Sequence, residues 1–510
     1  MSAIETPLPV AQPAVDSPPH HDQTGKELMR GAFFNTVAML ASNFRGIFTF
    51  LVARLLGPVA LGIFSIAWST TDTISKIGVL GLDNAIITFI ARSEAVGDRA
   101  RSRVLFRLAV VLGVAQSIIT AVIVIVAIRF LNHRLHVPPK MVSALAMLLC
   151  AMPGVALYRI STSVSRGMKV MHHDIYSRGI TDPIVTTLAF LLALAVGFNE
   201  FSPEVAVIVG SAASGLVALA LAAKLFRHVS REGDVVSYLS EARRLIGYSA
   251  PISIYQLISA FISRLDLIML GYFVGRAPGV TLATVGVYGA VVGTANGLRK
   301  VNQAFNPIFA PVVAGMTAAG DHERAAATYA RLAQWMLWIL LPLVAVMALA
   351  GETILLIYGP AFRQGAAWLG LVALASALNA FVALGETVIM VQRPRLNLLH
   401  SSITCAVAAG SLLWFIPRFG AMGAAFGILA AYVVQGILRY VTLRFVFRWK
   451  DSWSDIRPPL RAAIIALVPA LVCRGLLAGI VGQITSAAIF LAIFGAQWLR
   501  HHLRSMSKRS

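Results

Sequence analysis

Cysteine, acidic charge and long polar stretches are all scarce in this chain. Only three cysteines occur in 510 residues. Cys150, Cys405 and Cys473 lie far apart in apolar runs, so no disulfide framework or CxxC pair is expected and they read as small packing residues. No metal site is indicated, because His172 and His173, like His501 and His502, are adjacent pairs without helical ligand spacing. A GxxxxGK[ST] phosphate loop is missing, which excludes ATP as the direct energy source, and no cofactor is expected. Charged residues make up 13% of the chain, against about 25% in soluble proteins. The 22 acidic residues are outnumbered by 43 basic ones, for a net charge of +21. With no soluble basic domain to grip a duplex, nucleic acid is excluded as a partner.

What is present is apolar: 58% of residues are hydrophobic, which with so little charge predicts an all-α integral membrane protein. Segments of spanning length recur from Gly31–Val52 to Ile480–Leu499, about fourteen in all. Arginine and lysine concentrate in alternate connections, such as Arg99 to Arg107, Lys224 to Arg244 and Arg444 to Arg461, and near both ends. The positive-inside rule then puts both termini in the cytoplasm of a multi-pass protein of the inner (cytoplasmic) membrane, which requires an even number of spans. The opposite loops are short and offer no room for an external catalytic domain, so no enzyme is expected. The Pro-rich residues 1–28 read as a disordered cytoplasmic tail without a cleavable signal. Residues 29–226 form a first half, 227–244 a cytoplasmic linker, 245–444 a second half, 445–500 a C-terminal helix pair and 501–510 a cytoplasmic tail.

The halves are related. Gly57–Gly78 resembles Val280–Val301, with Gly62 answering Gly286 and Phe64 answering Tyr288. The same offset pairs Asp72 with Asn296, Lys76 with Lys300 and Lys169 with Arg393, and a slightly smaller one pairs Arg45 with Arg264. Both copies start from the same side, so the repeats are parallel, about an axis along the membrane normal.

The charges inside the spans carry the functional reading. A charge at the centre of a spanning helix costs about 2.5–3.5 kcal/mol on insertion scales, so such residues face a bundle interior or a wet cavity. Asn35, Ser42, Arg45 and Thr49 share one stripe of the first span, which makes a cavity wall; the alternative is that Arg45 snorkels outward. On the seventh span Arg264 shares a face with Ser253 and Gln256. Asp266 lies on the other side with Tyr255, Ser259 and Ser263, so Arg264 is assigned to the cavity and Asp266 to a structural bond or proton coupling. On the eighth span Asn296, Arg299, Gln303 and Asn306 form a further stripe, with snorkelling the alternative for Arg299. Asp72 and Lys76 are spaced for an internal ion pair. Arg159, Arg178 and Glu386 read as interfacial, and Asp182, followed by Pro183, marks a coupling residue or a kink. Asp266, Asp72 and Asp182 are thus the candidates for H+ or Na+ coupling. Guanidinium groups bind phosphate in bidentate fashion and stay charged at every relevant pH, so Arg45 and Arg264 suit a pyrophosphate whose lipid tail stays in the bilayer.

Several stretches resemble a known family: GPVALGIFSIA, SRLDLIMLGYFVG, VGVYGAVVG, FNPIFAPVVAGMTAAGDHERAAATYARLAQWMLW, LIYGPAFRQGAAWLGLVALASALNA and VQRPRLNLL. They are similar to polysaccharide exporters of the multidrug/oligosaccharidyl-lipid/polysaccharide (MOP) superfamily, over essentially Gly31–Leu499. The resemblance implies two pseudo-symmetric six-helix lobes around a central V-shaped cavity, with two further C-terminal helices. It also implies alternating-access flipping of an undecaprenyl-diphosphate-linked oligosaccharide for O-antigen, capsule or exopolysaccharide, with Arg45, Arg264 and Arg299 as cavity cations. The partners expected are that lipid-linked substrate, membrane lipids, and a glycan polymerase or glycosyltransferases of the same pathway. A multidrug/cation antiporter of the same fold, a lipid-linked peptidoglycan precursor flippase, which carries a denser set of cavity arginines, and an uncoupled scramblase remain the alternatives.

Overall fold

The computed structural model describes residues 44–135, 138–227, 238–449 and 453–507, and every regular element among them is helical. In chain order the helices are α1 (Phe44–Val79), α2 (Leu82–Ala95), α3 (Arg99–Leu135), α4 (Pro139–Leu149), α5 (Met152–Gly167), α6 (Asp182–Ala195), α7 (Ser202–Leu225), α8 (Tyr238–Tyr272), α9 (Leu282–Ala318), α10 (His322–Leu349), α11 (Ala366–Gln392), α12 (Pro394–Val441), α13 (Trp453–Leu476) and α14 (Gly479–Ser507). A π-helical turn, Ile175–Thr181, leads into α6, whose second residue is Pro183. A proline and a widened turn, both common sources of a helix bend, thus fall together at Asp182.

Among the described residues, eleven segments are long and apolar enough to cross a membrane. Two of them, Gly46–Ala95 with 50 residues and Arg395–Val446 with 52, hold two passes each. Gly57 (φ 80, ψ −176) and Gly420 (φ 57, ψ −131) break their helices. Both need the positive φ that only glycine adopts at little cost, and Pro58 restarts the chain after Gly57. Helix α9, 37 residues long but more polar, also runs the length of the bundle and completes fourteen passes. The same parity of passes follows from the charge pattern.

Capping sets several helix starts. The Thr281 hydroxyl accepts from the Thr284 amide at 3.2 Å, and Asp321 accepts from that of Arg324 at 3.1 Å. Two corrections concern boundaries. Part of the expected linker at 227–244 is already helix, because α8 begins at Tyr238, and α14 runs on to Ser507 through the expected tail. The tail expected at residues 1–28 lies outside the described residues.

Two lobes and a C-terminal helix pair result. Helices α13 and α14 pack on each other and on α10, through Ala466, Ala470, Phe490 and Phe494 against Trp338, Ala345 and Leu349. Gln483 pins this pair: it accepts from the Thr353 amide (3.0 Å) and hydroxyl (2.9 Å) and donates to Glu352 (2.9 Å). Between the lobes, the most extensive contact is α1 with α9. There the repeat partners Gly62 and Gly286 face each other. A Cβ on Gly62 would overlap the Leu282 carbonyl, and one on Gly286 the Pro58 carbonyl. Equivalent residues of two repeats can touch in this way only near the axis relating them. Toward the other end of the second pass, Arg101 pairs with Glu241 at 2.8 Å and Phe89 meets Tyr248 edge-on.

Candidate functional site

Between these two interlobe contacts lies a polar cavity of about 410 Å³, walled by the second, seventh and eighth passes. The second pass supplies Asp72 and Lys76, the seventh Tyr255, Gln256, Ser259, Ser263 and Arg264, and the eighth Asn296, Arg299, Lys300 and Gln303. Repeat partners thus meet in one place, since Asp72 with Asn296 and Lys76 with Lys300 line it together. Four side chains of the wall are cationic and, among its described members, one is a carboxylate.

Asp72 is the hub. Its Oδ2 accepts from Arg264 Nε and Nη2, both at 3.3 Å, and its Oδ1 takes Arg159 Nη2 at 3.4 Å. These ion pairs of Asp72 reach across to the fourth and seventh passes. Local spacing favours an i,i+4 pair with Lys76 by only about 0.2–0.5 kcal/mol, less than arginines converging from two other helices can supply. Arg159 is largely buried among the helices, its head turned to this carboxylate. Arg178 is exposed. Arg264 keeps about a quarter of its side chain accessible, so the Asp72 pair does not seal it from the cavity. Arg299 does not snorkel: Nη2 donates to the Tyr432 hydroxyl at 2.8 Å, with its guanidinium 5.6 Å from that ring's centre. Asn306 of the same stripe is taken by Thr387, whose hydroxyl donates to it at 2.6 Å.

Residues 28–314 match the family of polysaccharide biosynthesis proteins. The chain belongs to that family. No curated protein sequence matches it. Among solved structures, the lipid II flippase MurJ in an inward closed conformation aligns with a TM-score of 0.69 at 11% identity, over 92% of this chain and 99% of that one. An inward-facing multidrug resistance MATE family transporter of the MOP superfamily gives 0.68 at 12% identity, over 82% and 98%. The Vibrio cholerae MATE transporter VcmN in its bent form gives 0.55 at 14%, over 87% and 98%. At such identities the likeness is one of fold, and the fold is that of MOP transporters. The protein is a multi-pass member of the polysaccharide biosynthesis family with the fold of those transporters.

In this family member the remaining sequence-derived candidates are distributed as follows. Asn35, Ser42 and the side chain of Arg45 lie outside the described residues; Thr49 is half-buried on α1. Asp266 is turned away from the cavity and only 4% exposed. It accepts from the Tyr288 hydroxyl at 3.1 Å and the Leu267 amide at 2.9 Å, the geometry of a structural bond. Asp182 is buried where α6 packs on α7, far along the chain from every cavity-lining residue. Ser259, Ser263 and Tyr255 stand with Arg264 and not with Asp266, because the cavity occupies more of the helix circumference than one narrow stripe.

Tyr255 leads to a second polar group that the sequence left at the interface. Its hydroxyl bonds Glu386, whose other oxygen takes Arg439 Nη2 at 2.7 Å, while Arg439 Nη1 donates to the Val382 carbonyl at 3.0 Å. Arg439 is 3% exposed, so Glu386→Ala strands a buried cation. The expected cost is about 3–5 kcal/mol, read as a lowered Tm in detergent. Replacing both partners by leucine is expected to recover most of it. The signal that could have found Lys76 and Lys300 as cavity residues was the repeat itself; nothing in the local sequence marks Arg159 or Glu386, which depend on contacts between distant helices.

Proposed function

We propose that this exporter flips a polyprenyl-diphosphate-linked oligosaccharide across the cytoplasmic membrane by alternating access, with both termini on the cytoplasmic side, for surface polysaccharide assembly. The observation that carries this reading is the charge of the cavity between the lobes. Arg264, Arg299, Lys76 and Lys300 converge on it against Asp72, so the wall holds an excess of positive charge suited to a diphosphate. Asn296, Gln303 and Gln256 add neutral hydrogen-bonding groups for the adjoining sugar. The lipid tail stays in the bilayer, so the protein has only to shelter the polar head. Asp72 is the group through which H+ or Na+ would act, since neutralising it releases Arg264 to the diphosphate. A multidrug/cation antiporter calls instead for a net acidic cavity, and the one described carboxylate of this wall is already taken by two arginines.

The test is a strain lacking the gene. Lipid-linked glycan is expected to accumulate on the cytoplasmic leaflet, measured by protection from an externally added glycosidase, and to clear on complementation. A strain whose lipid-linked glycan reaches the outer leaflet at normal rate would sink the proposal. A second prediction concerns the cavity. With the native cysteines replaced, Gln256→Cys is expected to react with a charged, water-borne thiol reagent, and Ala290→Cys, which is fully buried, is not. Protection of position 256 under all conditions would mean that water does not reach the wall.

A further inference from the structure

A different cationic site lies on the outside of the first lobe. Arg103 and Arg107, one turn apart on the third pass, converge with Lys224 and Arg227 at the end of the sixth, around a pocket of about 360 Å³. Phe106 and Phe226 form its floor, stacked at 5.4 Å between ring centres and tilted by 18°. Both rings are buried, whereas Arg107, Lys224 and Arg227 reach solvent or membrane. Among the described residues no carboxylate lines the pocket, and none of those last three cations pairs with a described carboxylate.

Topology alone does not account for this arrangement. The positive-inside rule asks only that cations lie in the right loops. It gives no reason for two helices that are not neighbours in sequence to bring four of them together over an aromatic floor. Like charges held at such range repel one another unless a counter-charge sits between them. The second lobe shows what happens at the related place. The offset that pairs Gly62 with Gly286 also pairs Arg107 with Arg331 and Lys224 with Arg448. There the face of the ninth pass is covered by α13 and α14. Among the described residues no such helix pair covers the first lobe, and Val111 and Leu216, on the same passes as the cations, are left more than 60% exposed.

We propose that this pocket binds the phosphate headgroup of an anionic membrane phospholipid, with its acyl chains against α3 and α7 where α13 and α14 cover the other lobe. A basic pocket between spanning helices at the membrane surface fits a phospholipid head, each cation near the surface adding to affinity. The site is separate from the interlobe cavity and stands whether or not the substrate proposed above is correct.

The experiment is native mass spectrometry of the full-length protein in detergent, titrated with cardiolipin, phosphatidylglycerol or phosphatidylcholine. Wild type is expected to retain one anionic lipid in preference to phosphatidylcholine. Arg107→Gln with Arg227→Gln is expected to weaken it about tenfold or more. The charge-keeping pair Arg107→Lys with Arg227→Lys is expected to retain most of the binding. Arg393→Gln with Arg395→Gln, an equal charge loss elsewhere, is expected to leave it unchanged. Equal weakening by the two glutamine pairs, or phosphatidylcholine binding as well as cardiolipin, would overturn the assignment. So would full competition by millimolar inorganic phosphate, which would make this a small-anion site. Should the first pair fail to fold, the lysine pair decides: loss of binding with charge preserved also overturns it.

Discussion

Arg264→Ala is expected to abolish glycan export while the protein still inserts and folds. Arg264 lies within the apolar Ser253–Tyr272 stretch, yet its head reaches both Asp72 and the cavity. In the proposed cycle the diphosphate displaces Asp72 and takes two charge-assisted hydrogen bonds from the guanidinium, together about 3–5 kcal/mol. Losing them corresponds to roughly a hundredfold to several-thousandfold loss of affinity. Arg264→Lys keeps the charge but not the fork, so an intermediate loss is expected. Asp72→Asn acts in the opposite sense: it releases Arg264, so the substrate head binds more tightly and leaves more slowly. The measurements are export in the deletion strain and binding of a soluble polyprenyl-diphosphate analogue to purified protein. Normal export by Arg264→Ala, with membrane levels equal to wild type, would remove the diphosphate role of this residue.

Gly286→Val is the second change with a large expected effect, and it works through shape. At Gly286 the Pro58 carbonyl occupies the space a Cβ needs, and at Gly62 the Leu282 carbonyl does. Backbone cannot swing aside as a side chain can, so a valine holds the lobes apart at this end. An alternating-access cycle that must close there stops, and export is expected to fall to the deletion background. Position 65 reports the change, because Ser65 packs against Gly289 across the same interface. Ser65→Cys is expected to be shielded from thiol reagents in the otherwise native protein and open in the Gly286→Val background. In the converse experiment, Ser65→Cys with Gly289→Cys is expected to cross-link and halt export until a reductant is added. A Cβ added at residue 289 falls 3.1 Å from that of Ser65, a little inside the usual disulfide range. Export that continues with the cross-link intact would mean that this end does not open.

These two residues also show how far the sequence could be read. Gly62 and Gly286 were recognisable as repeat partners, but a list of matched positions does not say that they touch. Contact follows only once the two copies are placed about their axis. Arg264 was legible as a costly charge in an apolar helix, which needs no structure to be noticed. Its partner was not, because Asp72 precedes it by most of a lobe and has a nearer candidate in Lys76. The same holds for Arg159 and Glu386, whose positions along their helices do not tell which distant charge each one meets. For Asp266 the sequence left a structural bond and coupling both open, and its contact with the Tyr288 hydroxyl favours the structural bond.

Hydropathy and charge placement by themselves determined that the chain is a helical membrane protein of about fourteen passes, because the bilayer imposes span length and backbone satisfaction one helix at a time. The repeat and the buried cations likewise pointed to an anion-handling cavity. Which cations share that cavity, which carboxylate holds them, where the lobes meet and where a patch of basic residues gathers into a pocket were decided by tertiary structure alone. Those properties depend on pairs of residues from distant passes, and no periodicity along a single helix carries information about the helix packed against it.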